Sequence, residues 1–284
     1  MAVKIIPVIG VSPNKEGSNK DGLIKDEELN KTFLLESLRH SDYVANPISN
    51  QVVAKKKSYK SEALKIYKSV EKDFYINRYG LYSLRGQEDS YIYSNALIGV
   101  LAELCSDNKN STRLLNLIHQ VKMDDGSYPL SLNIDVKNPV SEITVAMLEH
   151  LRGNKNEAER LLSLKGYNKI DGLYTSVNDK LVTQTFMNSM KGTVDCMLGN
   201  KEKGKKILKN ISLTIPKTDD GVFYVSNDKK IIMPDAIISV AMLKLLTESF
   251  ESGENYMKSL EKYPIQSGNT SILYGVALAL FSRS

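Results

Sequence analysis

The sequence predicts an all-α fold, an α/α toroid built from helical hairpins of about 47 residues each. Three observations predict it. A glycine turn recurs at nearly constant spacing, two classes of helix alternate along the chain, and short segments match one or two periods apart.

The turn comes first. Gly80-Leu81-Tyr82, Gly126-Ser127-Tyr128, Gly172-Leu173-Tyr174 and Gly221-Val222-Phe223 each place an aromatic residue two positions after a glycine. The glycines are 46, 46 and 49 residues apart, and another 47 residues reach Gly268. One Asp-Gly pair says little, but four glycine-aromatic turns at this spacing mark a repeat. The intervals match as well. Val145-Ala146-Met147-Leu148 recurs as Val240-Ala241-Met242-Leu243, and Arg113-Leu114-Leu115 as Arg160-Leu161-Leu162.

The helices follow from periodicity. Segments near 91–105, 140–152, 183–198, 235–249 and 270–282 are apolar around most of their circumference, so each is expected to be buried on most sides. Segments near 111–122, 156–165, 201–213 and 252–262 carry one narrow apolar stripe among charges and belong on the surface. The chain therefore alternates inner and outer helices. A straight solenoid alternates too, but a ring gives the inner class a second buried environment around its axis. Leu29 to Arg39 reads as a sixth inner helix and Lys60 to Phe74 as a further outer one. Residues 1–28 and 41–58 read as irregular segments that cover one end of the barrel. The whole chain, 1–284, reads as one domain, with hairpins over 29–284.

Composition narrows the function classes. The chain has 42% hydrophobic and 25% charged residues, a formal net charge of +5, 15 Tyr and no Trp. The lysines are dispersed, with one dense run at Lys55-Lys56-Lys57, so no basic stripe for nucleic acid is expected. Cys105 and Cys196 stand alone in apolar stretches, and His40, His119 and His150 form no ligand pair, so neither a metal site nor a cofactor is expected. The segment Gly17 to Glu28 matches the later half of a calcium loop but lacks an oxygen ligand at its first position. The opening Met1-Ala2-Val3-Lys4-Ile5-Ile6-Pro7 is a poor signal peptide, and Ile272 to Phe281 is too short to span a bilayer. A cytoplasmic location and no membrane association are expected, and the oligomeric state is left open.

The two ends of the bundle are unequal. Short turns near 106–110, 153–156, 199–201 and 250–253 mark one end. Long loops running from each glycine turn into an inner helix mark the other, and binding residues collect on such loops. Inner-helix N-termini converge there, with amides that favour anionic groups. A polar pocket is expected at this mouth, for a small polar ligand or glycan. Tyr82, Tyr128, Tyr174 and Tyr224 recur in every repeat, so they read as turn packing and not as a ligand platform.

The run Tyr91-Ile92-Tyr93-Ser94-Asn95-Ala96-Leu97, followed by Leu101, Leu104, Asn108-Lys109-Asn110 and Asp125-Gly126-Ser127-Tyr128, resembles one repeat of the six-hairpin glycosidase-like (α/α)6 barrels. The Asp-Gly-aromatic turn also resembles the repeat of terpenoid cyclases and protein prenyltransferase β subunits. The likeness covers roughly residues 60–284 and concerns the scaffold. The first family implies a glycoside hydrolase with an acid/base carboxylate pair. Glu88, Asp89, Glu142 and Asp235 are the candidates, and Arg85, Tyr91, Tyr93, Asn95, Gln184 and Asn188 are candidates to orient the ligand. Asp235 after Pro234 and Glu142 after Ser141 also suit helix N-termini for purely local reasons. The second family implies isoprenoid chemistry on clustered acids, but Asp124-Asp125 and Asp219-Asp220 are truncated against its motifs. A third reading is a non-catalytic scaffold that binds a ligand or protein.

Overall fold

A computed structural model describes residues 50–87, 89–165, 167–175, 181–265 and 268–284. The expected helix at 29–39, the irregular 1–28 and the calcium-like turn lie outside the described residues. The elements run in chain order as α1 (Asn50–Lys68), α2 (Val70–Asp73), β1 (Phe74–Ile76), β2 (Tyr82–Leu84), α3 (Ile92–Leu104), α4 (Asn108–His119) and α5 (Pro139–Leu151). They continue as α6 (Lys155–Leu162), β3 (Lys169–Ile170), β4 (Leu173–Tyr174), α7 (Thr185–Met197), α8 (Lys201–Thr214), α9 (Pro234–Thr247), α10 (Phe250–Met257) and α11 (Asn269–Arg283). The fold is all-α; among the described residues the strands form two antiparallel hairpins of two strands each.

Both hairpins sit at glycine turns. Gly80, Gly126, Gly172, Gly221 and Gly268 have φ between +78° and +85°, a region closed to most side chains, which explains the glycine at each repeat. The turns are tied to the outer layer. Arg113 of α4 donates to the Gly80 carbonyl, and Arg160 of α6 donates to the Gly126 carbonyl at 2.7 Å. Tyr82, Tyr128 and Tyr174 are buried behind these turns, as packing residues should be.

Helix character matches position. In α3 every residue except Tyr93 and Glu103 is buried. In α8 the buried residues are Gly204, Ile207, Leu208 and Ile211, a single stripe. The inner helices touch in cyclic order: α3 packs on α5, α5 on α7, α7 on α9, α9 on α11, and α11 on α3. Each has an outer partner: α4 on α3, α6 on α5, α8 on α7, α10 on α9. The last hairpin is made from opposite parts of the chain, because α1 is the outer partner of α11.

That seam is held by specific contacts. Lys55 Nζ meets Glu254 Oε2 at 2.9 Å and the Tyr59 hydroxyl donates to Glu254 Oε1 at 2.7 Å. The Tyr59 ring meets Phe281 edge-on at 6.0 Å. Arg283 donates to the Leu104 carbonyl at 2.6 Å, and Lys56 donates to the Ser284 carbonyl. The sequence reading starts this outer helix at Lys60 and leaves 41–58 irregular; the helix instead starts at Asn50 and ends at Lys68. The reason is a sparse stripe. Val52, Tyr59, Ala63 and Ile66 carry its contact face, while Lys55 and Lys57 between them are exposed. Phe74, read as helical, opens β1 instead.

Outer helix α10 approaches the ring closely at Gly253. A Cβ there would lie 2.7 Å from the Ala241 carbonyl oxygen and 2.8 Å from Phe281 Cζ. Gly253→Ala is expected to lower unfolding free energy by about 1–3 kcal/mol, because backbone of α9 must move. Urea unfolding midpoints check this, and an unchanged midpoint would mean α10 sits further out.

Candidate functional site

The inner helices begin at the loop-bearing end for local reasons. Pro139 and Pro234 open α5 and α9, where the missing N–H is no loss. Asn138 caps α5 by accepting from the Val140 and Ser141 amides at 2.9 and 3.0 Å. Counted from the caps Tyr91, Asn138, Gln184, Met233 and Gly268, the second residue of each helix is Tyr93, Val140, Phe186, Asp235 or Thr270.

Three of these meet where α9, α11 and α3 adjoin. Asn269 Nδ2 donates to the Tyr93 hydroxyl at 2.7 Å. Thr270 hydrogen-bonds the Asp235 carboxyl, and Asp235 lies near enough to Tyr93 to act on it electrostatically. The Tyr91 ring packs on Tyr93 with centroids 5.8 Å apart and planes at 55°. Burial raises the Asp235 carboxyl above its ordinary range, and the Thr270 hydrogen bond offsets part of that rise. Burial likewise raises the Tyr93 hydroxyl. Oδ1 of Asp235 and Oδ1 of Asn269 are closed off from solvent with no hydrogen-bond partner among the described residues. The side chains that carry them are themselves only half-buried. The cluster thus contains two acceptors that lack donors.

The other expected site residues are placed elsewhere. Asn95 accepts from the Tyr82 amide at 2.8 Å and donates to the Tyr82 and Tyr91 carbonyls at 2.9 and 3.0 Å. Asn188 repeats this, accepting from the Tyr174 amide at 2.8 Å and donating to the Tyr174 and Gln184 carbonyls at 3.0 and 2.9 Å. Both are fully buried, and both amide hydrogens of each are used, so they clamp the aromatic turn to its helix and do not orient a ligand. Arg85 is exposed and turns its guanidinium to the Glu71 and Lys72 carbonyls at 2.8 and 2.9 Å. Asp89 accepts from the Ser90 amide at 2.8 Å, the Asn133 amide at 3.3 Å and the Ser131 hydroxyl, which ties two neighbouring loops. Gln184 is the cap residue of α7, and its main chain bridges to Ser226. Glu88 lies outside the described residues.

Glu142 occupies the helix position of Asn95 and Asn188, four residues past its cap. Here the turn is held differently, by the Asn138 amide on the Tyr128 carbonyl at 3.1 Å. Glu142 is buried, 3.9 Å from Lys137 Nζ, and accepts from the Tyr167 hydroxyl at 3.3 Å. Its surroundings are Lys137, Tyr167, Asp125 and Arg160, none of which acts on Asp235. The two carboxyls therefore occupy separate environments, and the expected acid pair is not assembled from them. The acids that raised the isoprenoid reading are also engaged. Asp125 accepts from the Ser127 amide at 2.9 Å, and Asp220 pairs with Lys262 at 2.8 Å.

At three of the convergent helix ends an amide is already engaged within the fold. The Ile92 amide donates to Leu130 at 3.1 Å, and the Thr185 amide to Val225 at 2.9 Å. The Gly268 amide donates to Asp73 Oδ2 at 3.0 Å. Asn269 and Thr270 were missed from sequence because they follow a glycine read only as a turn. Aligning the helices on their second residue, with Tyr93 and Asp235, is the signal that would have found them. Cys105 and Cys196 are free thiols, and burial pushes Cys196 up to about 12, so neither is a ready nucleophile. Among the described residues no three His, Cys, Asp or Glu side chains gather as a metal site would require, and no helix is long and apolar enough to cross a membrane.

No family model and no curated protein matches this sequence. Among solved structures the chain is similar to one titled "a novel alpha-amylase from Clostridium perfringens", at 12% identity and a TM-score of 0.49. The match covers 79% of this chain and 97% of that one.

Two expectations follow. Removing the clamp in Asn188→Ala leaves the Tyr174 amide and carbonyl buried without partners, at a cost of about 2–4 kcal/mol. Urea unfolding measures it, and a loss below about 0.5 kcal/mol would contradict the clamp. Burial raises Glu142 to about 7, from an ordinary value of 4.5. The folded chain then holds this proton more tightly than the unfolded chain. Its contribution favours folding at low pH and is lost as pH rises from 4.5 toward 7. Glu142→Gln is expected to stabilise the protein at about pH 8 by up to about 3 kcal/mol and to change little at about pH 4. Equal changes at both pH values would contradict this.

Proposed function

We propose that the chain is an α/α toroid whose loop-bearing end binds a small hydroxyl-rich ligand, a carbohydrate, where α9, α11 and α3 begin. One observation carries the reading: two acceptor oxygens, on Asp235 and Asn269, are shut off from water without donors. An unmade hydrogen bond of this kind costs about 1–3 kcal/mol. A ligand that brings hydroxyl donors, with a small side-chain adjustment, recovers that cost. Tyr91 and Tyr93 add an aromatic surface suited to a sugar ring, the role that Trp often fills and that this Trp-free chain must assign to Tyr.

The reading is of binding, not hydrolysis. Glycoside hydrolysis needs two carboxyls flanking the bond, and among the described residues, which do not include Glu88, Thr270 and Tyr93 adjoin Asp235 and no second acid does. Isothermal titration calorimetry with neutral mono- and disaccharides tests the reading. At least one sugar is expected to bind the parent chain, and Asp235→Asn, which swaps one oxygen for an amide of the same size, is expected to weaken it about tenfold, the worth of one hydrogen bond. Unchanged affinity in Asp235→Asn, or no sugar bound at all, would overturn it.

A further inference from the structure

Among the described residues, three of the four buried carboxylates have a lysine within ion-pair distance and the fourth has a histidine ring. Glu142 has Lys137 at 3.9 Å, Glu149 has His119 at 2.6 Å, Asp195 has Lys191 at 2.5 Å and Glu254 has Lys55 at 2.9 Å. Asp235 differs: among the described residues its surroundings supply the Thr270 hydroxyl and no Lys, Arg or His. Asp235 is half-buried, and a carboxylate drawn out of water without a counter-charge is destabilised. Next to Asp235 lies a second acceptor without a donor, Asn269 Oδ1, and the paired rings of Tyr91 and Tyr93.

We infer that the ligand carries a protonated amine, so that the site takes an amino sugar with Asp235 as its counter-ion. This rests on the carbohydrate reading above and names the ligand class for the same cluster. An ammonium brings the positive charge that Asp235 lacks and three hydrogens, where a hydroxyl brings one hydrogen and no charge. Tyrosine faces attract a cation through their ring quadrupoles and so suit the same ligand. Asp235 sits in the first turn of α9, whose partial positive charge meets part, not all, of its need for a counter-ion. Two of the three helices forming the cluster, α3 and α11, already have the Ile92 and Gly268 amides bonded to Leu130 and Asp73.

Calorimetry on the full chain with glucosamine, glucose and N-acetylglucosamine tests the inference, at a pH where the free amine is protonated. Glucosamine is expected to bind at least tenfold more tightly than the other two. Asp235→Asn is expected to remove that preference while retaining weak glucose binding. Asn269→Ala leaves the charge in place and is expected to weaken all three sugars while keeping the order. Circular dichroism confirms that each variant is folded. Equal affinity for the three sugars, or a preference that survives Asp235→Asn, overturns the amine while leaving the carbohydrate reading intact. Binding of none of them removes both.

Discussion

A helix that is apolar around nearly its whole circumference has no face to give to water, and there are five of them among the described residues. Each must be flanked by two neighbours and covered by a third element. A linear stack leaves the first and last inner helices with one open flank. The cyclic order of contacts removes that exposure, because α11 meets α3. The outer partner of α11 is α1, which comes from the other side of the chain. The polar contacts at the seam, Lys55 and Tyr59 on Glu254 and Arg283 on Leu104, fix the register of a join that apolar packing alone leaves loose.

The candidate site is a product of the same closure. Tyr93 and Asn269 are 176 residues apart in sequence and touch because α11 lies beside α3. Asp235 joins them through α9 on the opposite flank of α11. The regular parts of the repeat are occupied in holding it together, as Asn95 and Asn188 do at equivalent positions. The second helix positions are irregular, with Asp235 in one repeat and Thr270 in the next, and these side chains form the candidate site.

Inner and outer helices were legible in the sequence because burial on all sides and burial on one side leave different periodicities. The glycine turns were legible because positive φ selects glycine in every repeat. The start of α1 was not, because a helix whose contact face is Val52, Tyr59, Ala63 and Ile66 shows little stripe among lysines. Asp235, Tyr91 and Tyr93 lie together, whereas Asn95, Asn188, Arg85 and Asp89 turn to backbone and loop partners. A polar residue at a helix start looks the same in sequence whether it clamps its own turn or faces a ligand. Only the partner distinguishes the two: Asn269 finds Tyr93 across the ring closure, and Asp235 finds Thr270 on the next inner helix.

Closure itself is open to direct measurement by amide hydrogen exchange read by mass spectrometry. If α11 is an inner helix covered by α1 and flanked by α9 and α3, amides from Val276 to Phe281 exchange as slowly as those in the middle of α7. Exchange in that stretch at the rate of a fraying terminal helix, orders of magnitude faster than α7, would contradict the closed ring and the site assembled across it.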